Sequence, residues 1–195
     1  MGRRMTVETI LWRRLDAAGF DSCRLAPSSS GWTLDGTAVF VHNGQPARLA
    51  YRVVCDSHWR TKNGVVCGWA GKQFIDLSIA RDEAGVWRQS SEVLADMEGL
   101  IDLDLGFTPA TNTIPIRRLA LSVGQAADAS AAWFDLTSRT MKTLPQRYER
   151  VDEAVYAYEA PGLAFSARLD VTPSALIRRY PGLWEMQAHW SSDIE

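Results

Sequence analysis

Asp102 and Asp104 alternate with Leu103 and Leu105 inside the stretch GLIDLDLGFTPATNTIPIRRL, residues 99–119, which closes on the paired cations Arg117 and Arg118. Successive strand side chains point to opposite faces, so Ile101, Leu103, Leu105 and Phe107 share one face and Asp102, Asp104, Gly106 and Thr108 the other. Carboxylates two residues apart on a strand stand roughly 7 Å apart at about 3.3 Å per residue. That spacing is compatible with the acid and base of an inverting glycosidase, whose carboxyls lie roughly 6.5–9.5 Å apart. Strand aspartates more often face water or pair with arginine, and Arg52, Arg117 and Arg118 are available partners. Nothing in the segment marks a raised carboxyl pKa, so a structural role, facing water or paired, is the preferred reading. The intervening TPATNT run, with Asn112, supplies turn formers and hydroxyls.

A second cluster follows the strand that carries Tyr51, Val53 and Cys55 on one face and Arg52, Val54 and Asp56 on the other. Arg52 and Asp56 are placed to pair along their shared face. With Trp59, Arg60 and Lys62 of the following turn, Arg52 would form a rim able to grip an anionic or sugar headgroup through directed arginine hydrogen bonds. The simpler reading is a hairpin end with solvated charges. Cys55, His58 and Cys67 are zinc-type ligands, but the local pattern has no fourth member. There is no nucleophile elbow around Ser57 and His58 and no glycine-rich phosphate loop, so neither a catalytic motif nor a cofactor is indicated.

The elements that must position these residues are strands. Alternating or β-branched segments occur at 9–16, 21–25, 32–41, 47–56, 64–70, 74–81, 86–90, 100–108, 131–135, 147–151, 154–159 and 163–170. His42-Asn43-Gly44-Gln45 and Glu159-Ala160-Pro161-Gly162 read as hairpin turns. Short helices are expected at 91–98, 114–121 and 174–180. The pattern predicts an all-β chain with an antiparallel curved sheet or an open barrel or roll. LDGTAVFV-turn-ARLAYRVVCD echoes VDEAVYAY-turn-LAFSARLD, as two similar halves would.

The 195 residues suit a single domain, 1–195, with a core that needs no metal or disulfide. A formal charge of -2 and a pI near 5.9 argue against a general nucleic-acid binder. The eight tryptophans call for a large β core or an aromatic-lined pocket. The first residues, MGRRMTVETILWRRLD, are neither a secretory signal nor a membrane span. Three cysteines leave one unpaired under any disulfide scheme, and the expected compartment is the cytoplasm.

LDLGFTPATNTIPIRRL (103–119) resembles the signature segment of a bacterial family of glycolipid-binding proteins. GWTLDGTAVF (31–40), PARLAYRVVCDSHWRT (46–61), AAWFDL (131–136), LPQRYER (144–150) and RRYPGLW (178–184) fit the same family in the same order. The resemblance implies an antiparallel β architecture similar to the lipoprotein localisation factors. It also implies an acyl-bearing ligand held in a concave sheet. On that expectation the chain binds an amphiphile without catalysis. Trp32, Tyr51, Trp69, Phe107 and Trp184 are the candidate apolar lining; Arg52, Asp56, Arg60, Asp102, Asp104, Asn112 and Arg117 are the candidate polar group. A hydrolase using Asp102 or Asp104, and a module that holds a protein partner by a sheet edge or aromatic patch, are the alternatives.

Overall fold

The computed structural model describes residues 5–194. Strands account for 62% of the chain. The first run of strands is a meander: β1 (Met5–Arg14), β2 (Gly19–Ser28), β3 (Gly31–His42), β4 (Gln45–Asp56), β5 (Thr61–Ala70), β6 (Gln73–Arg81), β7 (Trp87–Gln89) and β8 (Glu92–Val93). A middle segment holds β9 (Asp102–Asp104), helix α1 (Thr113–Leu119), β10 (Ala126–Asp128), β11 (Ala131–Asp135) and β12 (Thr140–Leu144). The chain then returns to strands β13 (Arg147–Asp152), β14 (Val155–Ala160), β15 (Phe165–Val171), β16 (Ile177–Tyr180) and β17 (Trp184–Ile194).

Fourteen of the strands form one antiparallel sheet in the order β10-β13-β14-β15-β16-β17-β1-β2-β3-β4-β5-β6-β7-β8, and it is not closed into a barrel. β1 and β17 pair at its middle, so the two runs meet along a seam. The hairpins that echo each other in sequence, β3–β4 and β14–β15, are third and fourth from that seam on either side. β12, β11 and β9 form a separate three-stranded sheet, in which β9 runs parallel to β11.

Alternation along β4 shows which face each strand gives to the core. Ala47, Leu49, Tyr51, Val53 and Cys55 are buried, whereas Arg48 and Arg52 are exposed. The inner face is not left open for a ligand. It shares one buried cluster with Leu103, Leu105, Phe107, Ile114, Ile116 and Phe134 of the middle segment. The fit is close: a Cβ at Gly64 on β5 would come within 2.4 Å of Leu103 Cδ2. The concave surface expected to line an acyl site is therefore largely covered by the chain's own residues 94–146.

Three local expectations are corrected. Residues 174–180 are not a helix, because Thr172 Oγ1 accepts from Leu176 N at 3.1 Å, Ala175 turns at φ 71°, and Ile177–Tyr180 is extended. The strand at 100–108 shortens to Asp102–Asp104, since Asp104 Oδ1 accepts from Gly106 N at 2.7 Å and Gly106 takes φ 56°. The 91–98 helix contracts to a 3-10 turn at Ala95–Met97. The 114–121 helix is present as α1, ended by Ala120 at φ 47°.

Candidate functional site

A cleft of about 1070 Å³ lies where the turn between β4 and β5 faces α1 and the loops of β13–β16. Asp56 organises that turn. That carboxylate accepts backbone hydrogen bonds from His58 (2.8 Å) and Arg60 (2.9 Å), and Trp59 N donates to the Asp56 carbonyl at 3.0 Å. The tight turn forces Trp59 to φ 63°, an uncommon value for a bulky residue, and its ring stacks on Trp32 with centroids 5.1 Å apart and planes 16° from parallel. Gly31 makes the stack possible. At φ 147°, a Cβ there would lie 2.2 Å from the carbonyl carbon of Asp56. Gly31→Ala is expected to lower stability by about 1–3 kcal/mol through backbone strain and to disturb the Trp32–Trp59 pair. Urea melts read the first effect and near-ultraviolet circular dichroism the second.

Arg117 and Arg118 close α1, where positive charge complements the helix C-terminus. Consecutive helical residues diverge by about 100°, so the two guanidiniums separate. Arg117 lies 5.4 Å over the Trp59 ring. Arg118 forks onto Asp102, Nε to Oδ1 at 2.7 Å and Nη2 to Oδ2 at 2.6 Å.

Across the cleft, Arg150 donates from Nη1 to the Leu121 carbonyl at 2.9 Å and from Nη2 to the Glu153 carbonyl at 2.6 Å, while its guanidinium sits 5.9 Å over Tyr156. Its Nε is buried without a hydrogen-bond partner among the described residues. Arg178 is exposed on the same lining. Arg118 is paired with Asp102, and Glu153 is the one carboxylate on a lining that also carries Arg117, Arg150 and Arg178. Trp32, Val123, Ala154, Tyr156 and Pro173 supply the apolar part. The arrangement suits an anion with an apolar body attached.

Of the candidate lining and polar residues, Trp32 and Arg117 line this cleft, as does Trp59 of the expected headgroup rim, and Asp56 builds its turn. Others lie elsewhere. Arg52 points outward and pairs with Asp35, its cross-strand neighbour, through an Nε bond of 2.8 Å. The expected Arg52–Asp56 pair does not form, because the backbone of the turn occupies Asp56. Arg60 is exposed just beyond the turn, and Trp69 is exposed on the outer face of β5. Tyr51 and Phe107 are buried in the core, 5.8 Å apart edge to face. Trp184 is buried beneath the Arg14 guanidinium, 5.5 Å away. Asn112 donates to Tyr148 Oη at 2.9 Å.

The two aspartates have separate surroundings. Burial pushes the Asp102 carboxyl above its usual range, and the Arg118 fork opposes the shift. Asp104 is also pushed up by burial, against hydrogen bonds from Gly106 N, Gln146 Nε2 (2.6 Å) and Thr111 Oγ1 (3.4 Å). It lines a smaller cavity of about 230 Å³, with Trp133, Tyr158, Phe165, Tyr180 and Trp184. Cys55 faces the core and Cys67 the outside, on opposite faces of the sheet, and all three cysteines are free.

The sequence reading assigned no role to Arg150, Tyr156 or Arg178. Arg150 and Arg178 stand in the segments LPQRYER and RRYPGLW, but only strand pairing brings them to α1 and Trp59.

A sequence profile for the family described as "Putative glycolipid-binding" matches residues 9–186. The crystal structure of a DUF1089 family protein from Pseudomonas aeruginosa, solved at 1.80 Å resolution, superposes with a TM-score of 0.75. The two sequences are 30% identical, and the match covers 85% of this chain and 91% of the other. No curated protein matches the chain.

Proposed function

The chain belongs to this glycolipid-binding family, and from that premise we propose that it binds an amphiphile non-catalytically, holding an anionic head in the arginine-lined cleft. The observation that carries the reading is the charge of the lining, on which Arg117, Arg150 and Arg178 accompany one carboxylate, Glu153. A phosphate, sulfate or carboxylate group would meet charge-assisted hydrogen-bond donors there. Trp32, stacked on Trp59, offers a face for a sugar ring or the first part of an acyl chain. Val123, Ala154 and Pro173 continue the apolar surface. Burial of apolar area then contributes about 25 cal/mol per Å².

A binding role is preferred to hydrolysis because both candidate carboxylates are engaged, Asp102 by the Arg118 fork and Asp104 by three donors. No helix among the described residues is long and apolar enough to cross a membrane. The three free cysteines support the cytoplasm or another reducing compartment.

The reading is tested with two glycosyl diacylglycerols that differ only in a sulfate on the sugar, titrated calorimetrically into wild type and Arg178→Ala. Arg178 is exposed, so its loss leaves the fold intact. Affinity for the sulfated lipid should fall about tenfold or more, as for loss of a hydrogen bond to a charged group, with the neutral lipid little changed. Equal affinities in wild type and variant for the sulfated lipid would remove the cleft as the headgroup site.

A further inference from the structure

The outer face of the large sheet carries a row of exposed apolar side chains far from the cleft. Strand register makes Phe20 the neighbour of Val39, Val39 of Arg48, Arg48 of Trp69, and Trp69 of Phe74. The row crosses β2 to β6, a span of roughly 19 Å at about 4.8 Å per strand. Phe20 is 49% exposed, Val39 55%, Trp69 41% and Phe74 70%. The adjacent row on the same face, Ser22, Thr37, Ala50, Cys67 and Asp76, is small or polar. The exposed aromatic side chains of β2–β6 thus lie along one row, with Arg48 at its centre and Val41 and Val65 as further exposed apolar side chains of the face, and an exposed apolar row of this kind marks an interaction surface.

We propose that this stripe docks the protein on an anionic lipid bilayer, with the rings of Phe20, Trp69 and Phe74 at headgroup depth and Arg48 and Lys72 against lipid phosphates. Charge decides between occupants. Arg52, on the same strand face as Arg48, has Asp35 directly opposite and pairs with it. The cross-strand neighbours of Arg48 are Val39 and Trp69, and it has no ion pair among the described residues. Lys72 is exposed in the turn that joins the strands of Trp69 and Phe74. Asp16, in the turn before Phe20, is held by Arg14 at 2.7 Å, which leaves Asp76 as the acidic neighbour at the β6 end.

A second copy of the chain fits less well. A twofold axis through the row would set Arg48 against Arg48. A bilayer interface instead supplies counter-charge for the cations and the amphipathic layer in which exposed aromatic rings settle.

Cys67 lies two residues from Trp69 on the same face and provides the reporter. Burial pushes the Cys55 thiol up to about 12 and the Cys23 thiol higher still, so an environment-sensitive maleimide labels Cys67 selectively. The labelled full chain is mixed with phosphatidylcholine vesicles, with and without phosphatidylglycerol, and sedimented. Wild type should bind the phosphatidylglycerol vesicles with a blue shift of the label.

Trp69→Ser, Phe74→Ser and Arg48→Glu should each weaken that binding about tenfold while keeping the wild-type thermal midpoint. Arg178→Ala, in the cleft, should bind vesicles as wild type does, so failure of the headgroup reading and failure of this one are separable. The proposal is overturned by no binding to either vesicle, or by binding that survives both serine variants. It is also overturned if the label is shielded without vesicles and the protein sediments as a dimer, which would assign the face to a second copy.

Discussion

Arg118→Ala is expected to destabilise the protein by about 3–5 kcal/mol, the cost of leaving one member of a buried ion pair alone. Asp102 is 1% exposed, and both of its carboxylate oxygens are engaged by the Arg118 fork. It also belongs to β9, where Ala131 is its partner on β11 and the next residue, Leu103, donates its N–H to Thr61 Oγ1 at 3.1 Å. A charge without a hydrogen-bonded partner, offset only by the Coulomb attraction of Arg81, would therefore sit inside the packed middle segment.

Urea unfolding would register the loss as a lower midpoint at unchanged slope. The deficit should shrink on acidification, because the unpartnered carboxyl is pushed further up and folding then favours its protonated form. Replacing both partners with leucine should cost much less than Arg118→Ala. A loss under about 1 kcal/mol at neutral pH would show that water reaches the pair and that its role is not structural.

The second large effect concerns Asp21, which is fully buried on β2 although it is a carboxylic acid. Tyr51 Oη donates to it at 3.0 Å and Thr108 Oγ1 donates to its Oδ2, while the two hydroxyl oxygens are themselves 3.0 Å apart. The triangle has three contacts, and the two hydroxyls bring only two protons, so Thr108 cannot donate to Asp21 and to Tyr51 at once. A protonated Asp21 closes the triangle by donating to Thr108 Oγ1, which leaves the Thr108 hydroxyl to donate to Tyr51 Oη. Burial accordingly pushes the Asp21 carboxyl up to about 7, against the hydrogen bonds that favour the charged form.

A carboxyl whose folded pKa lies above its unfolded value of 3.8 stabilises the fold when protonated. Its contribution is complete below the unfolded pKa and is lost as pH rises through about 7. The linkage over that window is on the order of 4 kcal/mol. Asp21→Asn should flatten stability between pH 4 and pH 7 and exceed wild type above it, as read from thermal midpoints across pH. Retention of the wild-type pH slope by the variant would locate the titration in another group.

Legibility followed the range of the interactions. β3 and β4 were readable because burial alternates along both and the Asn43-Gly44 tip, at φ 49° and 74°, satisfies a hairpin locally. β17 was not read. Its run WEMQAHWSSDI has no clean alternation and is extended because β1 pairs along nearly its whole length. β12, TMKTL, is likewise held in place by β11.

Within the cleft, Trp32 and Arg117 stood out in segments dense with chemistry-bearing residues. Arg150 and Arg178 looked like ordinary strand charges until the fold set them beside α1. Asp21 was invisible for the same reason, with Tyr51 and Thr108 lying 30 and 87 residues away. For Asp102 the sequence leaves water, three arginines or a ligand headgroup open, and the structure pairs it with Arg118 of the same segment.

The seam between the two runs of strands also constrains how the molecule is made. Thr6 is opposite Asp193 and Ile10 opposite His189, so the centre of the sheet joins the earliest strand to the latest. During synthesis β1 can take β2 as a neighbour at once, but its other edge waits for nearly the entire chain. Pairings of such long sequence separation form slowly, and an unpaired strand edge invites association in the meantime. A ribosome-bound chain lacking β17 would expose that edge at the middle of the future sheet, so the interval before β17 emerges is when premature pairing between nascent chains is most costly.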